Sequence, residues 1–232
     1  MLEIIILAGG FGTRLKGYVD DVPKPMANVV DRPFLQILLE SLKANGFSRV
    51  ILSLCYKPEK ITNYFGKNYK GMEIVYCIES KPLGTGGAIK KCLKLANNDH
   101  VFIINGDTFL DIDYKKLFKS FSHNHYPLIT VRKVSNISRY GEVKLEKNLV
   151  YSFNKKSENL SSGYINAGCY IFPKDLFNTV YDSKSFSLEN DFLPSMVQKQ
   201  KFQAYVSNDF FIDIGVPSDF IKAQSLLKDY AK

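Results

Sequence analysis

An α/β fold, in which helices flank a mixed, mainly parallel sheet, is the fold class that this sequence predicts. Over the first half of the chain, short runs rich in Ile and Val alternate with helical patterns, which is typical of strand–helix–strand units. From about residue 126 onward, strand-like segments follow one another through tight polar turns. We therefore expect a Rossmann-like sheet with a small antiparallel extension.

The strands of the first half are short apolar runs, and the later ones are strand-like segments joined by tight polar turns. The predicted strands are 3–7, 49–54, 73–77, 101–105, 128–134, 141–146, 148–153 and 164–172. Between the first two, residues 33–44 place Phe34, Ile37, Leu38 and Leu42 on one face and stop at Asn45 and Gly46, which predicts an amphipathic helix. The other predicted helices are 61–65, 88–95, 173–180, 189–198 and 217–230.

The composition restricts the class of protein. The chain has 232 residues, 45% of them hydrophobic and 23% charged, enough for a substantial core in a single unit. Its net charge is +8, but the lysines are scattered, which favours an anionic small molecule at least as well as nucleic acid. No apolar run approaches the roughly 18 residues of a membrane helix, and the four cysteines lack metal-site spacing. We expect a cytoplasmic protein with reduced thiols.

A glycine-rich loop follows the first strand. It reads Leu-Ala-Gly-Gly-Phe-Gly-Thr-Arg-Leu over residues 7–15, and such glycines let backbone N–H groups approach a phosphate closely. A tight turn without a ligand is the alternative. Leu15 stands where a dinucleotide fingerprint needs its third glycine, and Tyr18 follows Gly17 where a P-loop needs Lys. Arg14 within the loop suits a polyphosphate, because guanidinium binds oxygens in a bidentate way.

Two further segments favour a phosphate-bearing ligand. Residues 22–26 read Val-Pro-Lys-Pro-Met, and the two prolines restrict the backbone around Lys24. Residues 79–88 form a second glycine-rich turn before a helix, where the backbone can contact a base edge or ribose. An ordinary strand-to-helix connection explains this second turn equally well.

Two aspartates follow apolar strands. Asp107 ends Ile-Ile-Asn-Gly-Asp and Asp213 lies in Phe-Ile-Asp-Ile-Gly; carboxyl ends of parallel strands are where open α/β sheets place ligands. Each aspartate alone also fits a turn or cap. Together with the phosphate loop, they predict a Mg²⁺ site, since Mg²⁺ takes oxygen ligands and few protein groups.

In combination, the motifs resemble those of the sugar-1-phosphate nucleotidyltransferases. The match consists of L-A-G-G-x-G-T-R-L, P-K-P, E-x-x-P-L-G-T-G-G-A, N-G-D, Y-G-x-V, F-x-x-K, N-A-G and D-x-G, in order from Leu7 to Gly215. Within the family, the chain looks most like the short bacterial D-glycero-D-manno-heptose 1-phosphate guanylyltransferases, on Val22 to Met26, Arg139 to Gly141, Tyr164 to Gly168, Phe186 to Glu189 and Phe211 to Pro217. It lacks the extended C-terminal module of the larger relatives, which suggests a bare catalytic domain, with residues 1–125 binding the nucleotide and residues 126–232 the sugar.

The resemblance implies a role for each motif residue. Arg14, Lys24 and Asp107 would be catalytic, and Asp107 and Asp213 would carry Mg²⁺. The implied nucleotide-binding residues are Leu7, Ala8, Gly9, Gly10, Gly12, Thr13, Arg14, Lys24, Glu79, Gly84, Thr85 and Asp107. Gly141, Lys156 and Asn166 would hold the sugar phosphate. Many relatives have Glu-Lys where this chain has Lys155 and Lys156, so the usual acidic partner of a sugar hydroxyl is missing.

The implied reaction joins GTP and heptose 1-phosphate to give GDP-heptose and pyrophosphate for cell-surface polysaccharide synthesis. Mannose 1-phosphate or another hexose 1-phosphate is the alternative substrate, and the base is also open. A silent nucleotide-sugar binding protein is a different class; the presence of Arg14, Lys24 and Asp107 argues against it. A nucleic-acid binder is disfavoured because no basic stripe interleaved with aromatic residues occurs. We expect no membrane partner, and a homo-oligomer is possible.

Overall fold

The structure is a computed structural model that describes residues 2–12, 15, 17–19, 21–154, 162–178 and 184–230. The strands are β1 Leu2–Leu7, β2 Asn28–Val29, β3 Arg32–Pro33, β4 Phe47–Leu54, β5 Asn68–Tyr69, β6 Met72–Ile78, β7 His100–Asn105, β8 Thr108–Leu110, β9 Leu128–Val134, β10 Glu142–Glu146, β11 Leu149–Asn154, β12 Gly163–Pro173, β13 Gln203–Val206 and β14 Phe211–Asp213. The α-helices are α1 Phe34–Ala44, α2 Pro58–Phe65, α3 Gly84–Leu93, α4 Tyr114–Phe121, α5 Leu193–Met196 and α6 Pro217–Leu226, with a 3-10 helix at Lys24–Met26 and a π-helical turn at Leu188–Phe192.

One large sheet organises the described part of the chain, in the order β10-β11-β13-β9-β12-β7-β1-β4-β6-β5. Strand β1 pairs in parallel with both β4 and β7, and β4 with β6. Because successive side chains of a strand point to opposite faces, Ile4 and Ile6 pack into one hydrophobic cluster with helix α1, and Ile5 packs into a second with helix α3. The strand is buried on both faces, which explains its continuous apolar run.

The second half of the chain continues the same sheet. Strand β12 pairs antiparallel with β7 and with β9, so the long β12 joins the parallel part to the antiparallel part. The predicted fold class is confirmed, although the antiparallel part is larger than we expected from the sequence. Two short strands, β8 and β14, form a separate antiparallel pair that becomes important for the site.

Several element predictions need correction. The segment predicted as a helix over 173–180 forms hydrogen-bonded turns over 174–178, because Pro173 still pairs in β12, the Lys174 N–H donates to the Asp99 carbonyl, and the N–H groups of residues 176 and 178 donate to carbonyls three residues back. Residues 179 and 180 lie outside the described residues. The predicted helix 189–198 is a π-helical turn followed by the short α5. Strand β13 was not predicted, and α3 begins at Gly84 instead of residue 88.

None of the helices within the described ranges has the length and apolar character needed to cross a bilayer.

Candidate functional site

The first glycine loop leaves the sheet where β1 ends. Leu7 lies beside Asn105 of β7, and the Ala8 N–H donates to the Ser53 carbonyl at 2.9 Å. A Cβ added at Gly9 would stand 3.1 Å from the backbone nitrogen of residue 55, whereas one at Gly10 would meet nothing within 4 Å. The loop is therefore packed against β4 at Gly9 and open at Gly10.

The glycine loop lies directly on the lysine between the two prolines. Gly12 has a φ of +65°, and a Cβ there would stand 3.1 Å from the Cβ of Lys24. Pro23 precedes the 3-10 helix that begins at Lys24, and Lys24 itself is 7% exposed. The two motifs, separate in the sequence, thus form one surface whose ammonium group is held in place by buried packing.

The ammonium of Lys24 reaches the aspartate that follows β7. Its Nζ lies 2.5 Å from Oδ2 of Asp107, and the Asp107 side chain is 31% exposed. Between strand and aspartate, the Gly106 N–H donates to the Leu7 carbonyl at 2.9 Å, and a Cβ at Gly106 would stand 2.7 Å from that same oxygen. A residue with a side chain would push Asp107 away from β1, so glycine is required there.

The pairing of β14 with β8 positions the second aspartate, Asp213, next to the segment that carries Asp107. Asp213 lies opposite Thr108 in that pairing, and the N–H of Ile214 donates to the Asp107 carbonyl at 2.9 Å. A Cβ at Gly215 would stand 2.6 Å from Oδ1 of Asp213 and 3.0 Å from Nζ of Lys24. Tertiary folding therefore brings Lys24, Asp107 and Asp213 to the same part of the structure.

The two carboxylates fit a divalent cation. No group of three or more His, Cys, Asp or Glu side chains suited to a metal occurs in the described ranges. A pair of carboxylates, with the remaining positions left to phosphate oxygens and water, is the donor set that Mg²⁺ favours over an all-protein cage. The binding of Mg²⁺ by Asp107 and Asp213 stays a prediction.

The second glycine-rich turn packs tightly against a later segment. Gly84 has a φ of +69°, and a Cβ there would stand 2.4 Å from the carbonyl oxygen of Phe186; at Gly86, it would stand 2.1 Å from the Phe186 ring. The N–H groups of Gly86 and Gly87 donate to the Phe186 carbonyl. The close approach of Phe186 explains why glycine occurs at these positions. From the sequence alone, we predicted that the same glycines make room for the nucleotide.

Glu79 stabilises the start of that turn from inside. It is 7% exposed; its Oε1 accepts from the Ser53 hydroxyl at 2.8 Å, and its Oε2 accepts from the Leu83 N–H at 2.9 Å. These contacts show Glu79 holding the turn. Contact of Glu79 or Gly84 with base or ribose remains a prediction.

Thr85 connects the turn to the π-helical segment. Its hydroxyl donates to Oε2 of Glu189 at 2.7 Å and accepts from the Leu188 N–H at 2.8 Å. In the sequence, Glu189 belongs only to a segment that carries the family resemblance. Its partner Thr85 lies 104 residues away along the chain, so residue spacing does not predict this contact.

On the other side, Asn166 lies at an irregularity of β12. The β9–β12 register shifts between Asn166 and Tyr170, and Gly168, with a φ of +70°, allows the bulge. Asn166 Nδ2 donates to the Tyr170 hydroxyl at 2.7 Å, and its Oδ1 accepts from the Gly168 N–H at 3.0 Å. The strand β10 that follows Gly141 pairs with β12 at residue 165, so two of the predicted sugar-phosphate residues lie on neighbouring segments.

An ion pair that we did not predict holds the loop before Gly141. Nη2 of Arg139 lies 2.9 Å from Oδ2 of Asp219 at the start of α6. Partial burial lowers the pKa of Arg139, but the hydrogen bond to Asp219 and the charges of Asp219 and Asp213 raise it above its ordinary value. The Arg139 guanidinium, in the loop before Gly141, therefore lies close enough to Asp213 for that carboxylate to raise its pKa.

Three predicted site residues, Thr13, Arg14 and Lys156, lie outside the described residues. Their roles stay predictions, and Lys155, which replaces the Glu of many relatives, also lies outside the described residues.

The chain is similar to known proteins over nearly its whole length. The family model for nucleotidyl transferases matches residues 3–230. A D-glycero-alpha-D-manno-heptose 1-phosphate guanylyltransferase from Campylobacter jejuni is 44% identical over 94% of this chain and 97% of its own, and one from Aneurinibacillus thermoaerophilus is 42% identical over 99% and 100%. The crystal structure of HddC from Yersinia pseudotuberculosis is 39% identical, with a TM-score of 0.87, over 98% of this chain and 100% of that one; a second structure holds GMP-PN. The resemblance identified from the motifs is confirmed, and the chain belongs to the nucleotidyl transferase family.

Proposed function

We propose that this protein joins GTP and D-glycero-α-D-manno-heptose 1-phosphate to give GDP-heptose and pyrophosphate, as a step toward cell-surface polysaccharide. The observation that carries the reaction class is the convergence of Lys24, Asp107 and Asp213 beside the open glycine loop. The choice of base and sugar is supported by the two heptose 1-phosphate guanylyltransferases described above and by the GMP-PN complex of HddC.

The reaction is an in-line attack of the sugar-phosphate oxygen on the α-phosphorus of the triphosphate. A phosphate monoester has its second pKa at about 6, so the nucleophile is anionic at neutral pH and needs no general base. The protein must hold two anions that repel each other and offset the charge that develops between them. Alignment of this kind contributes about 7–11 kcal/mol.

Lys24 supplies the positive charge at the reacting phosphate. An ammonium has three N–H donors, and in the described part of the chain one of them is directed at Asp107. The other two are the donors that would bind α-phosphate oxygens. Because Lys24 is buried and its backbone is held by prolines, the ammonium is placed before substrate binds, which is the condition for strong electrostatic stabilisation.

Asp107 and Asp213 are the residues that would hold Mg²⁺, which when bound supplies charge neutralisation and orientation for the phosphates. Asp213→Asn should raise the Mg²⁺ concentration for half-maximal activity at least about tenfold, since one of two charged ligands is lost. Asp111→Asn, on an exposed aspartate beyond β8, is the matched control. If the Asp213→Asn variant needs the same Mg²⁺ concentration as the unmodified protein, Asp213 is not a Mg²⁺ ligand.

The substrate assignment is tested by a matrix of substrates. GTP, ATP, UTP and dTTP are combined with heptose, mannose, glucose and galactose 1-phosphates, and pyrophosphate release is measured. We expect turnover with GTP and heptose 1-phosphate at least about tenfold above every other pair, with Asp107→Asn as the inactive control. Preference for mannose 1-phosphate would replace the sugar, and preference for UTP or dTTP would overturn the guanylyl assignment.

The division of labour between the two halves follows from the same proposal. Residues 1–125 contain the glycine loop and Lys24, whereas Gly141, Lys156 and Asn166 lie in residues 126–232. Asp213 lies in the second half of the sequence, but its strand β14 pairs with β8 of the first half. A homo-oligomer also stays a prediction, and light scattering after gel filtration measures it directly.

A further inference from the structure

The loop before Gly141 rests on the antiparallel part of the sheet. The Tyr140 N–H donates to the carbonyl of Ile137 at 2.9 Å, which closes a turn, and Ile137 is 5% exposed. A Cβ added at Gly141 would stand 3.0 Å from the carbonyl oxygen of Asn154, the last residue of β11. Because Gly141 is predicted to hold the sugar phosphate, the placement of this loop sets where that substrate binds.

Arg139 connects this loop to helix α6. Its Nη2 lies 2.9 Å from Oδ2 of Asp219, and the Asp219 side chain is 13% exposed, against 45% for Arg139. Because that carboxylate is mostly shielded from water, salt screens this pair less than it screens two fully exposed charges. A second cation, Lys222, lies 3.4 Å from Oδ1 of Asp219. Lys222 belongs to the same helix as Asp219, whereas Arg139 joins two segments that are distant in the sequence.

The first turn of α6 follows directly on the residues around the reacting groups. The Gly215 N–H donates to Oδ1 of Asp213 at 2.6 Å, and a Cβ at Gly215 would stand 3.0 Å from Nζ of Lys24. One residue later, the carbonyl of Val216 accepts from the Asp219 N–H at 3.2 Å. A single hydrogen-bonded turn therefore links the partner of Arg139 to the backbone that contacts Lys24 and Asp213.

The distance between these two regions matters for the proposed reaction. In-line attack requires the reacting atoms to lie about 3–3.5 Å apart, with the sugar phosphate held at the Gly141 loop and the triphosphate beside Lys24. Arg139 lies two residues before Gly141, and Asp219 lies four residues after Gly215. Their ion pair therefore bridges the region that would hold one substrate and the region that would hold the other.

Resting on the proposed function, we propose that Arg139 is a positioning residue for the sugar phosphate: its ion pair with Asp219 holds the loop before Gly141 at a fixed distance from the reacting phosphate. Arg139 acts through the loop and not by contact with the substrate. Loss of the pair releases the loop from α6, so the sugar phosphate binds more weakly, while the nucleotide, which does not depend on this loop, binds as before.

A double-mutant cycle tests this role through pyrophosphate release. Arg139→Met keeps the apolar stem of the side chain, and Asp219→Leu keeps the approximate volume; each removes the same ion pair. Each single variant should raise the KM for heptose 1-phosphate about fivefold, the upper end for a partly exposed pair. The double variant should be no worse than the more affected single variant, because the pair is lost only once. The KM for GTP should stay within about twofold, since the nucleotide contacts are unchanged.

Lys222→Met is the matched control, since it removes the other cation beside Asp219 and leaves the loop attached; its KM for heptose 1-phosphate should not change. A variant that is merely destabilised loses kcat with both substrates alike, and thermal unfolding identifies it. If Asp219→Leu does not fold, Asp219→Asn removes the charge alone and should also raise that KM.

Two results would overturn the proposal. One is an unchanged KM for heptose 1-phosphate in folded Arg139→Met. The other is a rise in Arg139→Met that persists when Asp219 is also replaced, because Arg139 would then bind the phosphate itself. Absence of turnover with heptose 1-phosphate in the substrate matrix would instead overturn the proposed function, which distinguishes the two failures.

Discussion

Replacement of Lys24 by methionine tests the central feature of the site. Methionine keeps most of the length and the apolar stem of lysine but removes the ammonium. The Lys24 side chain is 8% exposed, so the apolar replacement fits its surroundings, and Asp107, at 31% exposure, can still be hydrated. Because of that hydration, the loss of stability should fall below the 3–5 kcal/mol of a fully buried pair, at about 1–2 kcal/mol.

The loss of activity should be far larger than the loss of stability. The ammonium has two N–H donors beyond the one directed at Asp107. Removal of one preorganised donor to a developing charge costs about 2.7–4 kcal/mol, so we expect kcat to fall by a factor of about 10²–10³. The loss should appear in kcat more than in the KM for GTP, since the charge to be stabilised is greatest in the transition state.

Pyrophosphate release at saturating GTP and sugar phosphate measures kcat, and urea unfolding measures stability. Lys70→Met is the matched control, because Lys70 also forms a short ion pair, with Glu40 at 2.6 Å, but its side chain is 56% exposed. A surface pair of this kind contributes about 0–1 kcal/mol, and kcat should not change. A folded Lys24→Met variant with kcat within tenfold of the unmodified protein would refute the assignment of Lys24 to the reacting phosphate.

Three further predictions concern stability. Arg49→Met should cost about 3–5 kcal/mol in urea unfolding, because it removes the positive partner of the buried Glu3, whose Oε2 lies 2.6 Å from the guanidinium, and leaves that carboxylate only the backbone N–H donors of Asn97 and Asn98; a loss below about 1 kcal/mol would contradict this. Gly84→Ala should lower stability by about 1–3 kcal/mol more than Gly46→Ala, since both glycines have a positive φ but only Gly84 faces a backbone oxygen, 2.4 Å from the added Cβ; equal losses would exclude the clash. Backbone N–H groups at the start of α4 lower the pKa of Asp113 below 3.8, so its contribution is present above about pH 4 and disappears as the pH falls through the folded-state pKa. Asp113→Asn should keep the cap and reduce the loss of Tm between pH 5 and pH 2.

Much of the parallel half could be predicted from local sequence. Runs such as residues 3–7 are apolar on both faces, and the helix 33–44 has a clear apolar stripe and a stop signal. Hydrophobic periodicity and helix stop signals are therefore enough to predict these elements. Strand β13 and the turns after Pro173 could not be predicted, because their conformation depends on neighbours distant in sequence, such as the pairing of β13 with β9. The π-helical turn at Leu188–Phe192 is likewise set by its contacts with the second glycine-rich turn.

The candidate site, like the fold, could be predicted from the sequence only in part. Residue spacing in the glycine loop disfavoured two other kinds of phosphate loop, and the prolines marked Lys24 as more than a surface lysine. Neither observation could say that Gly12 lies on Lys24. Only the structure shows that the glycines of the second turn make room for Phe186 and that Glu79 bonds to the turn itself; contact of this turn with base or ribose stays a prediction.

The order of residues along this chain determined which chemical groups are present and which strands are buried on both faces, because side-chain type and periodicity are local properties. Three-dimensional structure alone decided that Lys24, Asp107 and Asp213 meet at one edge of the sheet, and that Glu189 accepts a hydrogen bond from Thr85. These contacts depend on strand order and on the β8–β14 pairing, and both arise from packing between segments that no short stretch of sequence contains.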